Sequence, residues 1–199
     1  RDGFQQEGIS PSVKDKIAIA KLIDGLGVSF IEGGWPGASP KEEEFFEIAK
    51  TELNLKNAKL VSFGSTRKLD LSAKDDPQVK ALVDSGTEYI CIVGKSSKLH
   101  ISKALQTDVD TAIDMAVDTI LYLKSKGKKV FFDAEHFFDG YKEDSKTSLK
   151  ILESVVSSGA DCFIFCDTNG GTLPEEVRKI LSEVIDKYPK TKFGVHFQN

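Results

Sequence analysis

The sequence predicts an α/β protein of parallel strands, a (β/α)8 TIM barrel of which the chain holds an incomplete part. Six short apolar runs alternate with amphipathic helical patterns along the 199 residues, and this alternation is typical of right-handed βαβ units. Each apolar run leads into polar residues and glycines, as strands do at the active-site end of a barrel. A complete barrel takes about 250 residues, so we expect only part of one.

The strands are predicted from composition and length. Each apolar run is four to six residues rich in Val, Ile, Phe or Tyr, the composition of buried strands. The six predicted strands are Val28–Glu32, Lys59–Phe63, Glu88–Val93, Lys129–Asp133, Cys162–Cys166 and Lys192–Val195.

The helices are predicted from apolar residues spaced three and four apart, which places them on one helical face. The predicted helices are Val13–Leu26, Pro40–Leu53, Pro77–Val83, Asp108–Leu123, Ser145–Val156 and Pro174–Ile185. A proline at the first helical position is expected at Pro40, Pro77 and Pro174. Glycines that follow helical patterns as C-terminal caps would are Gly27, Gly86, Gly127 and Gly159.

Two architectures fit this alternation, an open doubly wound sheet and a closed barrel. The glycine-rich dinucleotide fingerprint that would favour the open sheet is absent from the sequence. The chain begins at Arg1 without a methionine and stops just after an apolar run. We therefore expect residues 1–199 to be a partial TIM-barrel catalytic domain, with later barrel units and any C-terminal regulatory domain outside it. Alone, such a piece would expose two sheet edges and be inactive.

Composition limits the classes of function. Hydrophobic residues make up 40% and charged residues 29% of the chain, and the formal net charge is −4. This acidic balance argues against a nucleic-acid binder, and no apolar run is long enough to cross a membrane. Because Cys91, Cys162 and Cys166 lie in apolar runs, we expect buried reduced thiols and a cytoplasmic or similarly reducing location, with an organellar parent as the alternative.

The residues at the ends of the strands are candidate functional groups, because the C-terminal ends of parallel barrel strands meet at one mouth. One such residue could be an ordinary turn or cap, but seven polar ends together favour a site. With the chain start included, these ends are Arg1-Asp2-Gly3, Glu32-Gly33-Gly34, Gly64-Ser65-Thr66, Gly94-Lys95, Glu135-His136, Asp167-Thr168-Asn169 and His196-Phe197-Gln198-Asn199.

His196 and Gln198 indicate a metal site. They are two residues apart on an extended segment, so their side chains point the same way. Asp2 would add a carboxylate as the third ligand. Such nitrogen and oxygen ligands could hold Mg, Mn, Zn or Co. Of the other histidines, His136 at a strand end is a site candidate, whereas His100 lies in a lysine-rich stretch and is expected at the surface.

Five segments carry a resemblance to a known family: RDGFQ at 1–5, IEGGWPG at 31–37, FGSTR at 63–67, DAEHFFDGY at 133–141 and CDTNGGTLP at 166–174. The first resembles the opening of the metal-dependent Claisen-condensing barrels, the DRE-TIM metallolyase group, which includes the 2-isopropylmalate, homocitrate and citramalate synthases and hydroxymethylglutaryl-CoA lyase. The other four look most like the citramalate synthase branch. The resemblance extends over the whole chain.

The resemblance implies roles for the residues that hold the keto acid. Asp2 would bind the divalent metal, and Arg1 would hold the keto-acid oxygen and stabilise the charge that develops on it. Glu32 would orient Arg1 or the substrate. Thr168, with Asn169 beside it, would bind the keto-acid carboxylate.

The resemblance also exposes one departure. His196 would be the first histidine of the family's His-x-His metal pair, but Gln198 stands where the second is expected. A glutamine oxygen can bind a hard cation, yet imidazole holds Zn or Co more tightly, so the departure lowers the expected metal affinity. Glu135 and His136 would sit near the condensing carbons, and either could be the general base.

The implied activity is condensation of acetyl-CoA with a 2-keto acid, most closely pyruvate, to give citramalate for isoleucine or leucine biosynthesis. The alternatives are 2-isopropylmalate synthase, homocitrate synthase or lyase activity, and a non-catalytic metabolite-binding barrel. Lys95, Lys98 and Lys103 could attract CoA phosphates, although a solvated lysine surface is the favoured interpretation. For the full-length protein we expect a homodimer.

Overall fold

One curved sheet of six parallel strands forms the centre of the protein. A computed structural model describes residues 1–198. The strands are β1 (Phe30–Gly34), β2 (Lys59–Ser65), β3 (Tyr89–Lys95), β4 (Lys129–Glu135), β5 (Cys162–Asp167) and β6 (Phe193–Phe197). Each pairs in parallel with the next along the chain, in the order β1 to β6. A doubly wound sheet reverses its strand order at a switch point, and this sheet does not.

Helices follow the strands and cover one face of the sheet. They are α1 (Val13–Asp24), α2 (Pro40–Glu52), α3 (Pro77–Asp84), α4 (Lys98–His100), α5 (Val109–Ser125), α6 (Phe137–Ser157) and α7 (Pro174–Ile185). Short 3₁₀ turns span Asp2–Gln5 and Pro36–Ala38, and a π-helical turn over Ile101–Leu105 continues α4. Within residues 1–198, β1 and β6 form the two edges and do not pair with each other. The sheet is therefore a half-barrel, and the predicted fold class is confirmed.

All six predicted strands are present, and each continues one or two residues beyond its predicted end. The reason is that backbone pairing carries on into the polar residues: Gly94 pairs with Ala134, and Lys95 with Glu135. Lys95 and Glu135 are consequently held by the sheet and do not belong to a loop.

The six predicted helices are also present, but α6 begins eight residues earlier than predicted, at Phe137. Its first turn is held by burial, since Phe137 and Phe138 are completely covered. Asp144 breaks the helical backbone, with φ −151°, and its carboxylate accepts hydrogen bonds from the backbone and hydroxyl of Thr147. The sequence pattern detected only the second, newly capped part of the helix.

The predicted helix boundaries agree with the backbone. Prolines stand at the starts of α2, α3 and α7, and the four predicted capping glycines adopt left-handed conformations with φ between 74° and 91°.

The three cysteine thiols are free. Cys91 and Cys166 are buried, whereas Cys162 is only half-buried, which corrects the expectation that all three are buried. Within the described residues, no helix combines the length and apolar character needed to cross a membrane.

Apolar side chains pack on both faces of the sheet. Between the sheet and the outer helices, a large apolar cluster includes Leu82, Ile120 and Phe163, each fully buried. On the inner face, the ring of Phe30 lies 5.0 Å from the rings of both Tyr89 and Phe131. Aromatic rings thus occupy the N-terminal part of the inner face, and the polar residues predicted as site candidates follow the C-terminal ends of the strands.

Asp24 joins the end of α1 to the segment before β2. Its carboxylate accepts backbone hydrogen bonds from Lys56, Asn57 and Ala58 at 2.7–2.9 Å. These bonds, led by those from Ala58 and Lys56, lower the pKa of the Asp24 carboxyl. Because the folded-state pKa lies below the unfolded one, this stabilisation is present above about pH 4 and is lost as pH falls through the folded pKa.

We therefore expect Asp24→Ala to lower the melting temperature of the full-length protein by several degrees at pH 7. The difference between variant and parent should shrink as the pH falls towards 3, because protonation removes the same interaction from the parent. Thermal unfolding followed by circular dichroism at several pH values measures this. A pH-independent difference would contradict the role assigned to the carboxylate.

Gly140 lets α6 approach the end of β3 closely. A Cβ atom at this position would lie 2.5 Å from the Ser96 carbonyl oxygen and 2.8 Å from the Ser97 Cα. Since both are backbone atoms, neither can turn aside, and we expect Gly140→Ala to destabilise the protein by about 1–3 kcal/mol. Gly171→Ala is the matched control, because nothing lies within 4 Å of its Cβ position. Equal melting temperatures for the two variants would contradict this prediction.

Candidate active site

A cavity of about 590 Å³ opens at the C-terminal ends of the strands. Six of the predicted site residues line it: Arg1, Asp2, Glu135, Thr168, His196 and Gln198. They come from the chain start and from the ends of β4, β5 and β6. The parallel sheet thus brings together residues that are up to 197 positions apart in the sequence.

Arg1 is held in place from two directions. Its Nε donates a hydrogen bond of 2.9 Å to the Glu32 carboxylate, and its guanidinium carbon lies 3.7 Å above the centre of the Phe63 ring. A charge-assisted hydrogen bond combined with a cation–π contact fixes a guanidinium in one orientation. Glu32 itself is not among the residues lining the cavity, so it contacts Arg1 from behind.

Asp2, His196 and Gln198 form a set of oxygen and nitrogen donors at one side of the cavity. The Nε2 atom of His196 lies 3.8 Å from the Asp2 carboxylate. Alternation along the extended segment points Gln198 into the same cavity. The donor set suits a divalent cation, because a carboxylate and an imidazole nitrogen already face each other at the open side.

Asp133 was not predicted to be a site residue, yet it lines the cavity. It is 5% exposed, and its carboxylate lies 3.9 Å from Nδ1 of His196. Burial, reinforced by the charge of Glu32, raises the pKa of the Asp133 carboxyl to about 6. The signal for it in the sequence was its spacing, since Asp133 and Glu135 are two apart on one strand and share a face.

Glu135 forms an ion pair with Lys95 across the paired ends of β3 and β4. Both side chains are one-quarter exposed, and both line the cavity. The interpretation of Lys95 as part of a solvated lysine surface is therefore wrong, whereas Lys98 and Lys103 are exposed as predicted. The ion pair holds the Glu135 carboxylate at the wall of the cavity.

His136 reaches the site through its backbone and not through its ring. It adopts a left-handed conformation with φ 58°, and its N–H donates a hydrogen bond of 2.9 Å to the Thr168 hydroxyl. Its ring stacks on His100 with centroids 3.6 Å apart and is not among the groups that line the cavity. His100 is half-buried under this stack, so the expectation of a simple surface residue was wrong.

Asn169 is not brought to the cavity. It is exposed, and its side-chain amide donates a hydrogen bond of 2.7 Å to Asp139 at the start of α6. Its neighbour Thr168 does line the cavity. The two adjacent residues therefore face different surroundings, as successive residues at the end of a strand do.

Arg67 is a second residue that was not predicted. It is 9% exposed, lines the cavity and forms ion pairs with Asp114 and Asp118 on α5 at 2.6 and 2.7 Å. Its guanidinium also donates hydrogen bonds to backbone carbonyls of the loop after β2. These contacts make Arg67 a support for the cavity wall, and its place in the FGSTR segment was the only hint in the sequence.

A family model and curated proteins both match the chain over its whole length. The HMGL-like family model matches residues 1–199. The (R)-citramalate synthase of Aquifex aeolicus is 46% identical over the whole chain, and that of Streptomyces coelicolor is 45% identical over the whole chain. The chain spans 38% and 37% of their lengths, so it corresponds to less than half of the curated relatives it matches.

Solved structures support the fold at lower identity. A Bacillus subtilis HMG-CoA lyase matches with a TM-score of 0.82 and 17% identity, over 100% of this chain and 66% of that one. An HMG-CoA lyase from Acinetobacter baumannii, in complex with coenzyme A and 3-methylmalate, matches with a TM-score of 0.77 and 19% identity, over 100% and 64% of the two chains. At these identities the likeness establishes the fold alone.

Proposed function

The chain belongs to the HMGL-like family, and we propose that the full-length protein is an acyltransferase that condenses acetyl-CoA with pyruvate to give citramalate. The relatives named (R)-citramalate synthase, at 45–46% identity over all 199 residues, support this choice within the family. We propose residues 1–199 as part of its catalytic TIM barrel. A homodimer and a cytoplasmic location remain predictions.

The observation that carries the proposal is the fixed guanidinium of Arg1 beside the Asp2–His196 pair in one cavity. A 2-keto acid carries a ketone oxygen and a carboxylate, and this cavity offers a guanidinium for the former and the Thr168 hydroxyl for the latter. Asp2, His196 and Gln198 would hold a divalent cation. When bound, that cation would act as a Lewis acid on the keto acid.

The reaction needs one proton acceptor and one site for negative charge. A base removes a proton from the acetyl-CoA methyl group, and the resulting carbon bonds to the keto carbon while negative charge moves to the keto oxygen. Arg1, held by Glu32, would stabilise that charge. Water then hydrolyses the thioester and releases CoA.

Glu135 is the better supported of the two proposed bases. Its carboxylate lines the cavity, whereas the ring of His136 is stacked on His100 away from it. The N–H of His136 would instead hold Thr168, through the bond to its hydroxyl. We therefore keep His136 in the site as a backbone contact to the residue that would bind the keto-acid carboxylate.

The test is release of free CoA thiol by the full-length protein, supplied with acetyl-CoA, Mn²⁺ and one keto acid at a time. We expect pyruvate to give the highest kcat/KM among pyruvate, 2-oxoisovalerate and 2-oxoglutarate. Preference for either larger keto acid would make the protein a 2-isopropylmalate or homocitrate synthase. Cleavage of hydroxymethylglutaryl-CoA in place of condensation would make it a lyase.

Gln198 favours one second candidate, a non-catalytic barrel that binds a metabolite. An amide oxygen is a weaker ligand than imidazole for Zn or Co, so a cation could be held too weakly for turnover. Titration of Mn²⁺ into the full-length protein separates the two. Millimolar or weaker binding without turnover would support the second candidate, and micromolar binding with turnover would exclude it.

A further inference from the structure

Resting on the proposed function, we infer that Asp133 is a positioning residue for His196. Its carboxylate lies on the Nδ1 side of the imidazole and favours the tautomer that carries the proton on that nitrogen. The other ring nitrogen, Nε2, is then left with a free lone pair that faces Asp2 and the cavity.

The geometry places His196 between two carboxylates at opposite ring nitrogens. Nε2 lies 3.8 Å from Asp2, and Nδ1 lies 3.9 Å from Asp133. A neutral imidazole has one donor and one acceptor nitrogen, and an ionised carboxylate only accepts. One neutral ring therefore carries its N–H towards only one of the two carboxylates, and the tautomer decides which nitrogen is available to a cation.

The two carboxylates beside the His196 ring differ in how far they are buried. The Asp133 side chain is 7% exposed, against 32% for His196 and 44% for Asp2. Both carboxylates line the cavity, but Asp2 is open to solvent whereas Asp133 lies in its buried wall. A shielded carboxylate is the stronger acceptor for the ring N–H, since water does not compete for it.

The backbone makes this arrangement rigid. Asp133 lies on β4, in the interior of the sheet, where it pairs with Val93 on one side and Ile164 on the other. His196 pairs with Cys166 on the neighbouring strand β5. Carboxylates behind metal-binding histidines fix the ring orientation and raise the basicity of the ligand, and they act best from rigid elements.

Cys166 offers a competing explanation. Donor atoms of Asp133, Cys166 and His196 all lie within 4.8 Å of one another, so these three could hold a cation themselves. Burial raises the pKa of the Cys166 thiol, which disfavours the thiolate that binds metals. The two explanations differ in what they require of Cys166: one needs its sulfur as a ligand, and the other does not.

The test uses the full-length protein and the variants Asp133→Asn, Asp133→Ala, Cys166→Ser and His196→Ala, with Asp110→Asn as a control. Asp110 is an exposed aspartate on α5 that forms an ion pair with Lys150 and is not among the residues that line the cavity. Mn²⁺ affinity is measured by calorimetric titration, and folding by thermal unfolding. The absorption spectrum of the Co²⁺-loaded protein reports whether sulfur is a ligand, through a thiolate-to-cobalt charge-transfer band.

We expect both Asp133 variants to weaken Mn²⁺ binding about 10- to 100-fold and Cys166→Ser and Asp110→Asn to change it less than threefold. The Co²⁺ spectrum should lack the thiolate band. If Asp133→Ala does not fold, Asp133→Asn decides, because it keeps the shape of the side chain.

Two results would overturn the inference. Parental Mn²⁺ affinity in Asp133→Asn, together with its loss in His196→Ala, would remove Asp133 from the site and leave the proposed function standing. Weaker binding in Cys166→Ser with a thiolate band would assign the cation to the Asp133, Cys166 and His196 cluster. If His196→Ala itself binds Mn²⁺ as the parent does, the proposed metal site fails, which is a separate outcome.

Discussion

Replacement of Arg1 by lysine in the full-length protein is expected to lower kcat at least about a hundredfold, which corresponds to about 2.7 kcal/mol of lost transition-state stabilisation. Lysine keeps a positive charge but loses the planar fork that bonds Glu32 through Nε and presents its remaining donors to the cavity. It also loses the flat contact above the Phe63 ring. The charge that develops on the keto oxygen would then meet a mobile ammonium in place of a fixed guanidinium.

The measurement is steady-state release of CoA thiol with pyruvate and acetyl-CoA, alongside thermal unfolding. Arg178→Lys is the matched control, because Arg178 is exposed on α7, and its kcat should equal the parental value. We expect the melting temperature of Arg1→Lys to stay within a few degrees of the parent. A variant that keeps near-parental kcat would remove Arg1 from the reaction and, with it, the proposed mechanism.

The variant Glu32→Gln tests whether Glu32 acts through Arg1. Glu32→Gln keeps the size of the side chain and can still accept a hydrogen bond from Arg1, but it removes the charge that holds the guanidinium. We expect a smaller loss of kcat than in Arg1→Lys, and the double variant should lose little more than Arg1→Lys alone. Additive losses would show that the two residues act independently.

The β-α alternation was readable from the sequence because each strand is a compact apolar run and each helix has an apolar face. Prolines and glycines marked the helix boundaries, and the backbone agrees at those positions. The start of α6 was missed because its first turn, around Phe137 and Phe138, is stabilised by burial against the sheet and not by a local capping signal. Such tertiary contacts are invisible to periodicity.

The sequence predicted those cavity residues that lie at or just after the end of a strand. Position in the chain identified Glu135, Thr168 and His196, and parallel topology explains why they meet. Position could not tell which way a residue turns: His136 follows Glu135, but its left-handed backbone sends the ring towards His100. Asp133 lies inside an apolar strand, and its spacing of two from Glu135 was the only hint in the sequence. Its place beside His196, two strands away in the sheet, is seen only in the structure.

Gln198→His is expected to increase the affinity of the full-length protein for Zn²⁺ or Co²⁺ at least about tenfold, equivalent to about 1.4 kcal/mol. Alternation on the extended segment already directs position 198 into the cavity with His196, so the new imidazole needs no rearrangement of the backbone. Imidazole is preferred by these metals, whereas Mg²⁺ prefers oxygen ligands. Mg²⁺ affinity should therefore stay constant or fall.

The ratio of Co²⁺ to Mg²⁺ affinity, measured by competitive titration, is the informative quantity because a general change in stability would move both metals together. Gln5→His is the matched control: Gln5 also lines the cavity, but it ends the 3₁₀ turn Asp2–Gln5 and is not on the extended segment that carries His196. We expect the ratio to rise in Gln198→His and to remain parental in Gln5→His. An unchanged ratio in Gln198→His would mean that position 198 does not reach the cation. The site would then depend on Asp2 and His196 together with ligands from elsewhere in the full-length protein.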